Sequence, residues 1–519
     1  MRWKGGFNVL VRLRTTAGIL KGLFSTFVLL TFLQVSAQSL SEEFVMISSS
    51  NDVIGGSLVV FCEDGIIENL NIGISDLNRD IKLTANTKYR IASISKTITA
   101  IAIMQLIEQN KLSLDDDIGT VLGYPIRNPN SPTIPITVRM LLSHTSTLID
   151  GPTYNAFLTA TINENPIPNL SQLLTVDGSF YHPDQFNTTT PGHYFNYSNI
   201  NYVILGTVVE KVSGLRFDVY CKQHISDPLN IDASFNVNDL SDIDQVAVIY
   251  RKFDGVWTPQ VDDYQGAQPS YENLTDYVPG TNGGRFAPQG GYRCSAQDLA
   301  KLFLALMNGG SYDDGLLLSP ESIQSMLADE WTFDGLNGNN YFGLFRSWGL
   351  GIHRITSTAG NDVALPGSEQ MFGHAGEAFG LVSDAFFDPQ RKVGFVFLTN
   401  GVGTGYQTNE LSTFYTVEQE IFEAIERYGS LDECLNPVVL HQPPTTSKFA
   451  VFPNPTSSSL TISGIEPNES FELRILALDG RLIRYIHLEG GCSSFSIEDL
   501  EDGLYILASE TAKAIFIKE

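Results

Sequence analysis

Ser93 and Lys96 stand three residues apart in the stretch RIASISKTITA, residues 90 to 100. A serine hydroxyl is a useful nucleophile only when a base takes its proton. A lysine can be that base only if desolvation or neighbouring cations pull its pKa down from about 10.4. Residues three apart share a helix face, so Lys96 is brought beside Ser93, whereas the adjacent Ser95 is turned about 100° away from Lys96. Ile94, Ile98, Ile101 and Met104, with Leu106 and Ile107, recur at three-and-four spacing. That predicts an amphipathic helix ending near Asn110 and Lys111. Its N-terminus favours an alkoxide over an ammonium and offers free N–H groups to an oxyanion. Alone, the same four letters equally describe a helix-capping serine and a solvated lysine.

Two further stretches can join that chemistry. In PGHYFNYSNINYVILGTVVEKVSG, residues 191 to 214, Tyr197 and Asn199 lie two apart in an extended lead-in, so both side chains face one way. A helix with a buried stripe of Leu205, Val208, Val209 and Val212 follows. In MFGHAGEAFG, residues 371 to 380, His374 and Gly376 lead into a strand pair, where glycine lets a ligand backbone approach a strand edge.

The elements that must position these residues read as α+β. LVVFCEDG and NLNIGISDLN, within residues about 45 to 85, predict an antiparallel hairpin; FGLVSDAFF and KVGFVFLTN predict a second one across Asp388 to Arg391. Helical stretches and polar loops fill the middle, and residues 296 to 308 regain helical periodicity before Gly309 and Gly310. Strands at both ends with helices between them predict an antiparallel sheet with flanking helices and a helical cluster, assembled from distant segments. After residue 430 the text changes. Residues 431–448 read as a Pro- and Thr-containing linker, and residues 449–519 as a small all-β sandwich with Asp479 and Gly480 at a hairpin turn.

The 519 residues carry a formal net charge of -26, and no Lys or Arg cluster suggests a phosphate-binding face, which argues against nucleic acid. Residues 1–37 combine basic residues, the apolar run GLFSTFVLLTFL and Val35-Ser36-Ala37, as in a cleavable signal peptide. No other stretch is apolar enough to span a membrane, so none is expected in the mature protein. Export permits disulfides, yet Cys62, Cys221, Cys294, Cys434 and Cys492 form no CxxC pair and leave at most one or two bridges open. No metal-ligand spacing occurs, and no metal or other cofactor is expected.

Taken together, YRIASISKTITAIAIMQLIEQNKLSLDDDI, ITVRMLLSHTSTL, FNYSNINYVILGTVVEKVSG, GGYRCSAQDLAKLFLALMNGG and GHAGEAFG resemble, in that order, the serine β-lactamase and penicillin-binding-protein superfamily. The likeness is to its class C-like branch of esterases and peptidases, over residues about 45 to 428, within a catalytic unit of residues 38–430. The resemblance implies that Ser93 is acylated, that Lys96 and Tyr197 share proton transfer, and that Asn199, His374 and Gly376 contact substrate. It implies an oxyanion hole from the N–H groups of Ser93 and Glu377. Two departures stand out. Thr147 replaces the glycine of the usual HTSGL phrase, and Glu377 brings an acidic side chain where small residues are common. The tail phrases VFPNPTSSSLTI, LDGRLIRY, LEDGLYIL and AIFIKE resemble the sorting domain of type IX secretion.

The expectation is thus a secreted or surface serine hydrolase that cleaves ester, amide or peptide-like bonds through an acyl-enzyme, with the type IX machinery as partner of residues 449–519. A neutral His374 in place of a lysine favours neutral substrates over β-lactams and terminal D-amino acids, unless Arg285 or Arg293 reaches the pocket. The alternatives are a true β-lactamase or D-Ala-D-Ala carboxypeptidase and, from another class, a catalytically silent surface binding protein. Three intact motifs argue against the last.

Overall fold

The computed structural model describes residues 39–434, apart from short gaps at 272–273, 314, 409–411, 430 and 432–433, and the strands within residues 450–518. The expected leader and nearly all of the expected linker lie outside the described residues, as do Cys492 and the turn at Asp479 and Gly480.

Helix α1 (Leu40–Ser50) opens the fold, capped by Ser39 with Glu42 reaching back to it. The strand pair expected from residue 45 begins only after this helix, with β1 (Gly55–Cys62) and β2 (Gly65–Asp76). Short β3 (Ile81–Lys82) follows. The chain then enters α2 (Ser95–Glu108) and later α3 (Asn199–Ser213) and α4 (Ala296–Met307). It returns to the sheet through β4 (Trp331–Thr332), β5 (Ser347–Trp348), β6 (His353–Ile355), β7 (Met371–Ala378), β8 (Leu381–Asp388) and β9 (Val393–Thr399), and closes with α5 (Thr416–Tyr428). The nine strands form one antiparallel sheet in the order β4-β5-β6-β7-β8-β9-β1-β2-β3, in which the first and last segments of the domain pair through β1 and β9. Large antiparallel sheet and helices together give the α+β class.

Both faces of the sheet are covered, which is why β1, β8 and β9 are buried along their whole length. On β9 the two-residue period sends Val396 and Leu398 to one core, with Ile98, Val203 and Phe303, and Phe395 and Phe397 to the other, with Phe44 and Phe422. The second core continues through Leu431, and Cys62 of β1 is disulfide-bonded to Cys434. Cys221 and Cys294 are free and buried.

Helix α2 departs from the expected amphipathic pattern. Every residue from Ser95 to Leu106 is buried, because small side chains such as Ala100 and Ala102 let neighbours close over the face that periodicity leaves polar. The C-terminal residues form two antiparallel sheets, of three and four strands, around Leu460, Leu473, Ile475, Ile486, Ile497 and Leu507.

Candidate active site

Ser93 sits in a single 3-10 turn, Ala92–Ile94, immediately ahead of α2. Ala92 takes φ 46°, a left-handed conformation disfavoured for a residue with a side chain, and so the chain turns sharply at the serine. Strand β7 approaches this turn closely at Gly376. A Cβ there would lie 2.7 Å from the Ile91 carbonyl and 3.1 Å from the Ser93 nitrogen, so only glycine fits.

Lys96 lies beneath the serine, fully buried, its Nζ 2.9 Å from each of three oxygens: Ser93 Oγ, Asn199 Oδ1 and the Gln289 carbonyl. Burial pulls its pKa down to about 7, against a smaller opposing pull from Asp150. The carbonyl and the amide oxygen can only accept, so they occupy two N–H groups. In the neutral amine the remaining position, facing Ser93, is the lone pair.

Asn199 is the first residue of α3 rather than part of an extended lead-in. Its amide is fixed by Asp150: Nδ2 donates to Asp150 Oδ2 at 2.8 Å, which turns Oδ1 toward Lys96. Asp150 Oδ1 also accepts from the Ile200 N–H at 2.9 Å and the Ser198 hydroxyl at 3.1 Å, capping a helix that its own N-cap side chain leaves uncapped.

The Tyr197 hydroxyl is held against the Ser93 side chain, and burial raises its pKa, so it stands as a protonated phenol. Lys96 Nζ lies 4.8 Å from the centre of its ring. The ring packs at 4.5 Å on His144, whose Nδ1 accepts from the Ser198 N–H at 3.1 Å. Thr147 takes φ 73°, the left-handed conformation that a glycine adopts freely, and its hydroxyl accepts from Asn128 at 2.9 Å.

His374 is 1% exposed; Nδ1 donates to the Ala375 carbonyl at 2.5 Å, which leaves Nε2 as a buried acceptor without a partner. Burial and the neighbouring Lys96 hold its pKa well below the usual histidine value, so the ring is neutral. Glu377 is exposed, its carboxylate accepting from the Tyr415 hydroxyl.

Ser93, Tyr197, Asn199, His374, Gly376 and Glu377 all line one cleft of about 970 Å³, with Lys96 below its floor. Arg285 and Arg293 are not among its lining residues. The Arg293 guanidinium is 2.7 Å from Asp262, and Arg285 lies over the ring of Tyr271. Arg90 does line the cleft, but it shares Asp262 with Arg293. Sequence reasoning missed Asp150 and Gln289; the only signal was the acidic residue two places after the HTSTL phrase. Among the described residues no group of three or more His, Cys, Asp or Glu is placed to hold a metal.

Residues 40–413 match the family model described as Beta-lactamase. The chain belongs to the beta-lactamase family. Residues 450–519 match the secretion system C-terminal sorting domain, the address for type IX export to the cell surface or beyond. Among the described residues no helix is long and apolar enough to cross a membrane. Among curated relatives, Protein flp of Staphylococcus aureus strain MRSA252 is 28% identical over 186 residues, which is 36% of this chain and 35% of the relative, so the match spans about a third of that protein. Among solved structures, the octameric penicillin-binding protein homologue from Pyrococcus abyssi superposes with a TM-score of 0.56 at 22% identity, covering 92% of this chain and 99% of the other. The D-amino acid amidase of Ochrobactrum anthropi does so with a TM-score of 0.53 at 19% identity over 77% and 98%. These two similarities are of fold.

Proposed function

We propose that this beta-lactamase family member is an exported serine hydrolase that opens ester or amide bonds through an acyl-enzyme on Ser93. The observation that carries the reading is Lys96: buried, lowered to about 7, and directed at Ser93 Oγ by two fixed acceptors. In the forward step neutral Lys96 takes the Ser93 proton as Oγ attacks the carbonyl. The oxyanion is held by the backbone N–H groups of Ser93 and Glu377, a reading supported by the close approach of Gly376, the residue before Glu377, to the Ser93 turn. The C–O or C–N bond then breaks, and Tyr197 gives its phenol proton to the leaving alcohol or amine as Lys96 passes it the proton taken from Ser93. Water attacks the acyl carbon by the reverse relay and frees Ser93.

Neutral ester or amide substrates are favoured over carboxylate-bearing ones. The neutral His374 offers a single hydrogen-bonding atom, and the exposed carboxylate-bearing Glu377 lines the same cleft. The amidase whose fold it shares is compatible with amide substrates. Labelling with a fluorophosphonate probe tests the proposal: one adduct on Ser93, lost in Ser93→Ala, is expected. A protein that takes no label and turns over no ester or amide is a binder, and the proposal fails.

A further inference from the structure

If Tyr197 delivers the proton, the leaving atom must come within hydrogen-bond reach of its hydroxyl, and the rest of the leaving group must run along the surfaces beside that ring. Those surfaces are aromatic. Phe345 stacks on Tyr197 with ring centres 5.0 Å apart, and Tyr341 meets it edge-on at 5.9 Å while donating its hydroxyl to the Tyr197 carbonyl at 3.2 Å. Phe342, next to Tyr341 in the chain, also lines the cleft, although the residue is 98% exposed. Folding gains nothing from an apolar ring so placed.

The backbone presents it deliberately. Tyr341 and Phe342 take φ of 50° and 61°, conformations that residues with side chains avoid. The turn is anchored by the Tyr341 N–H on Asn339 Oδ1 at 3.2 Å. It is closed by Gly343, where a Cβ would meet Asn361 Oδ1 at 2.1 Å. The ring is therefore held on a defined turn at the mouth of the site.

We propose that Tyr341, Phe342 and Phe345 receive the leaving group, that this group is a neutral aryl or arylalkyl alcohol or amine, and that Phe342 sets the selectivity. The inference rests on the acyl-transfer reading and names the substrate side that Tyr197 serves. The bond from acyl carbon to Ser93 Oγ forms, the bond to the leaving oxygen or nitrogen breaks, and that atom departs with the proton taken from Ser93.

Ethyl acetate and 2-phenylethyl acetate test it with the full chain. Both give the same acetyl-enzyme and release alkanols of similar basicity, so their ratio of kcat/KM reads leaving-group contact alone. The wild type should prefer 2-phenylethyl acetate by about tenfold or more, and Phe342→Ala should bring the ratio to within about threefold. Phe342→Leu should fall between. Leu336→Ala, which alters an exposed residue outside the cleft lining, should leave the ratio unchanged. Ethyl 3-phenylpropanoate, with the ring moved to the acyl side, should show no dependence on Phe342. A wild-type ratio near one, or a ratio that survives Phe342→Ala, overturns the subsite and leaves the hydrolase reading standing. If neither ester turns over and Ser93 takes no label, the hydrolase reading falls and the subsite with it.

Discussion

The Nζ of Lys96 and the Oγ of Ser93 are 2.9 Å apart, with the other contacts of the amine taken by Asn199 Oδ1 and the Gln289 carbonyl. An ammonium there would donate to all three oxygens and could take no proton. A neutral amine keeps two of those contacts and points its lone pair at the serine.

The pH dependence of acylation follows from that difference. Lys96 is lowered to about 7, so the active, neutral form accumulates as pH rises, and kcat/KM for a neutral ester should climb through about pH 7 to a plateau. The charge of Asp150 opposes the lowering. Asp150→Asn should therefore move the limb to lower pH, even as it loosens the cap on α3. A limb that stays fixed in Asp150→Asn, or a rate that falls through this range, excludes Lys96 as the titrating base.

Removing either proton carrier should be severe. Lys96→Ala and Tyr197→Phe are each expected to slow acylation by about 10² to 10⁴, the usual contribution of a positioned acid or base. Circular dichroism should remain native-like for Tyr197→Phe, because the ring that stacks on His144 and Phe345 is kept. Effects below tenfold in both variants place the base elsewhere.

The two serines of the opening motif should separate cleanly in intact-protein mass spectrometry after phosphonate treatment. Ser95 is buried, and its Oγ accepts from the Tyr292 N–H at 3.1 Å, a contact that joins α2 to the strand-like segment beside it. Ser95→Ala should keep the single adduct and Ser93→Ala should lose it. An adduct persisting in Ser93→Ala removes the nucleophile from this motif.

How much of this the sequence discloses depends on how local each relationship is. Ser93 and Lys96 are one turn apart, so spacing brings them together, whereas Asn199 opens a helix and its expected alignment with Tyr197 along an extended segment does not form. The strand at Gly376 reads from composition because a close backbone approach demands glycine. Asp150 and Gln289 are different: an aspartate in a loop and a main-chain carbonyl acquire their roles only when the chain brings them to Asn199 and Lys96 from distant segments. Helix α1 was legible in principle, since Ser39 and Glu42 form a capping box, but eleven residues with three serines at the end carry little periodicity. The polar side of α2, Thr97 and Thr99 included, reads as solvent-facing because periodicity cannot register neighbours that close over it.

A buried carboxyl pair gives stability its own pH signature. Burial pushes Glu418 up to about 8, with the Tyr415 N–H and the Asp384 side chain pulling it partly back, and burial beside Glu418 raises Asp384 well above its usual range. Glu418 is protonated in the folded chain and ionised in the unfolded one between about pH 4.5 and 8. Its contribution is thus fully present below the unfolded value and is lost as pH rises through 8, at a slope approaching 1.4 kcal/mol per pH unit for one proton. Comparing unfolding midpoints of wild type and Glu418→Gln from pH 5 to 8.5 should show the wild type losing ground steadily. Parallel curves mean that Glu418 takes up no proton on folding.

Charge in the cleft should decide which substrates are taken. His374 is held neutral, and Arg90 shares Asp262 with Arg293, so the described lining gives a carboxylate little to bind, while Glu377 stands exposed on the strand that carries Gly376. Two unit charges about 4 Å apart interact by roughly 1 kcal/mol in water and more where solvent is thinned, which corresponds to a factor of several in kcat/KM. Nitrocefin and peptides ending in D-alanyl-D-alanine should accordingly be poor substrates beside neutral esters. Glu377→Gln should improve kcat/KM for nitrocefin about threefold to tenfold relative to a neutral ester, and the gain should shrink in high salt because the carboxylate is exposed. Nitrocefin hydrolysis by the wild type as fast as its best ester, or a Glu377→Gln variant with an unchanged ratio, places carboxylate recognition on another group and removes Glu377 as the discriminator.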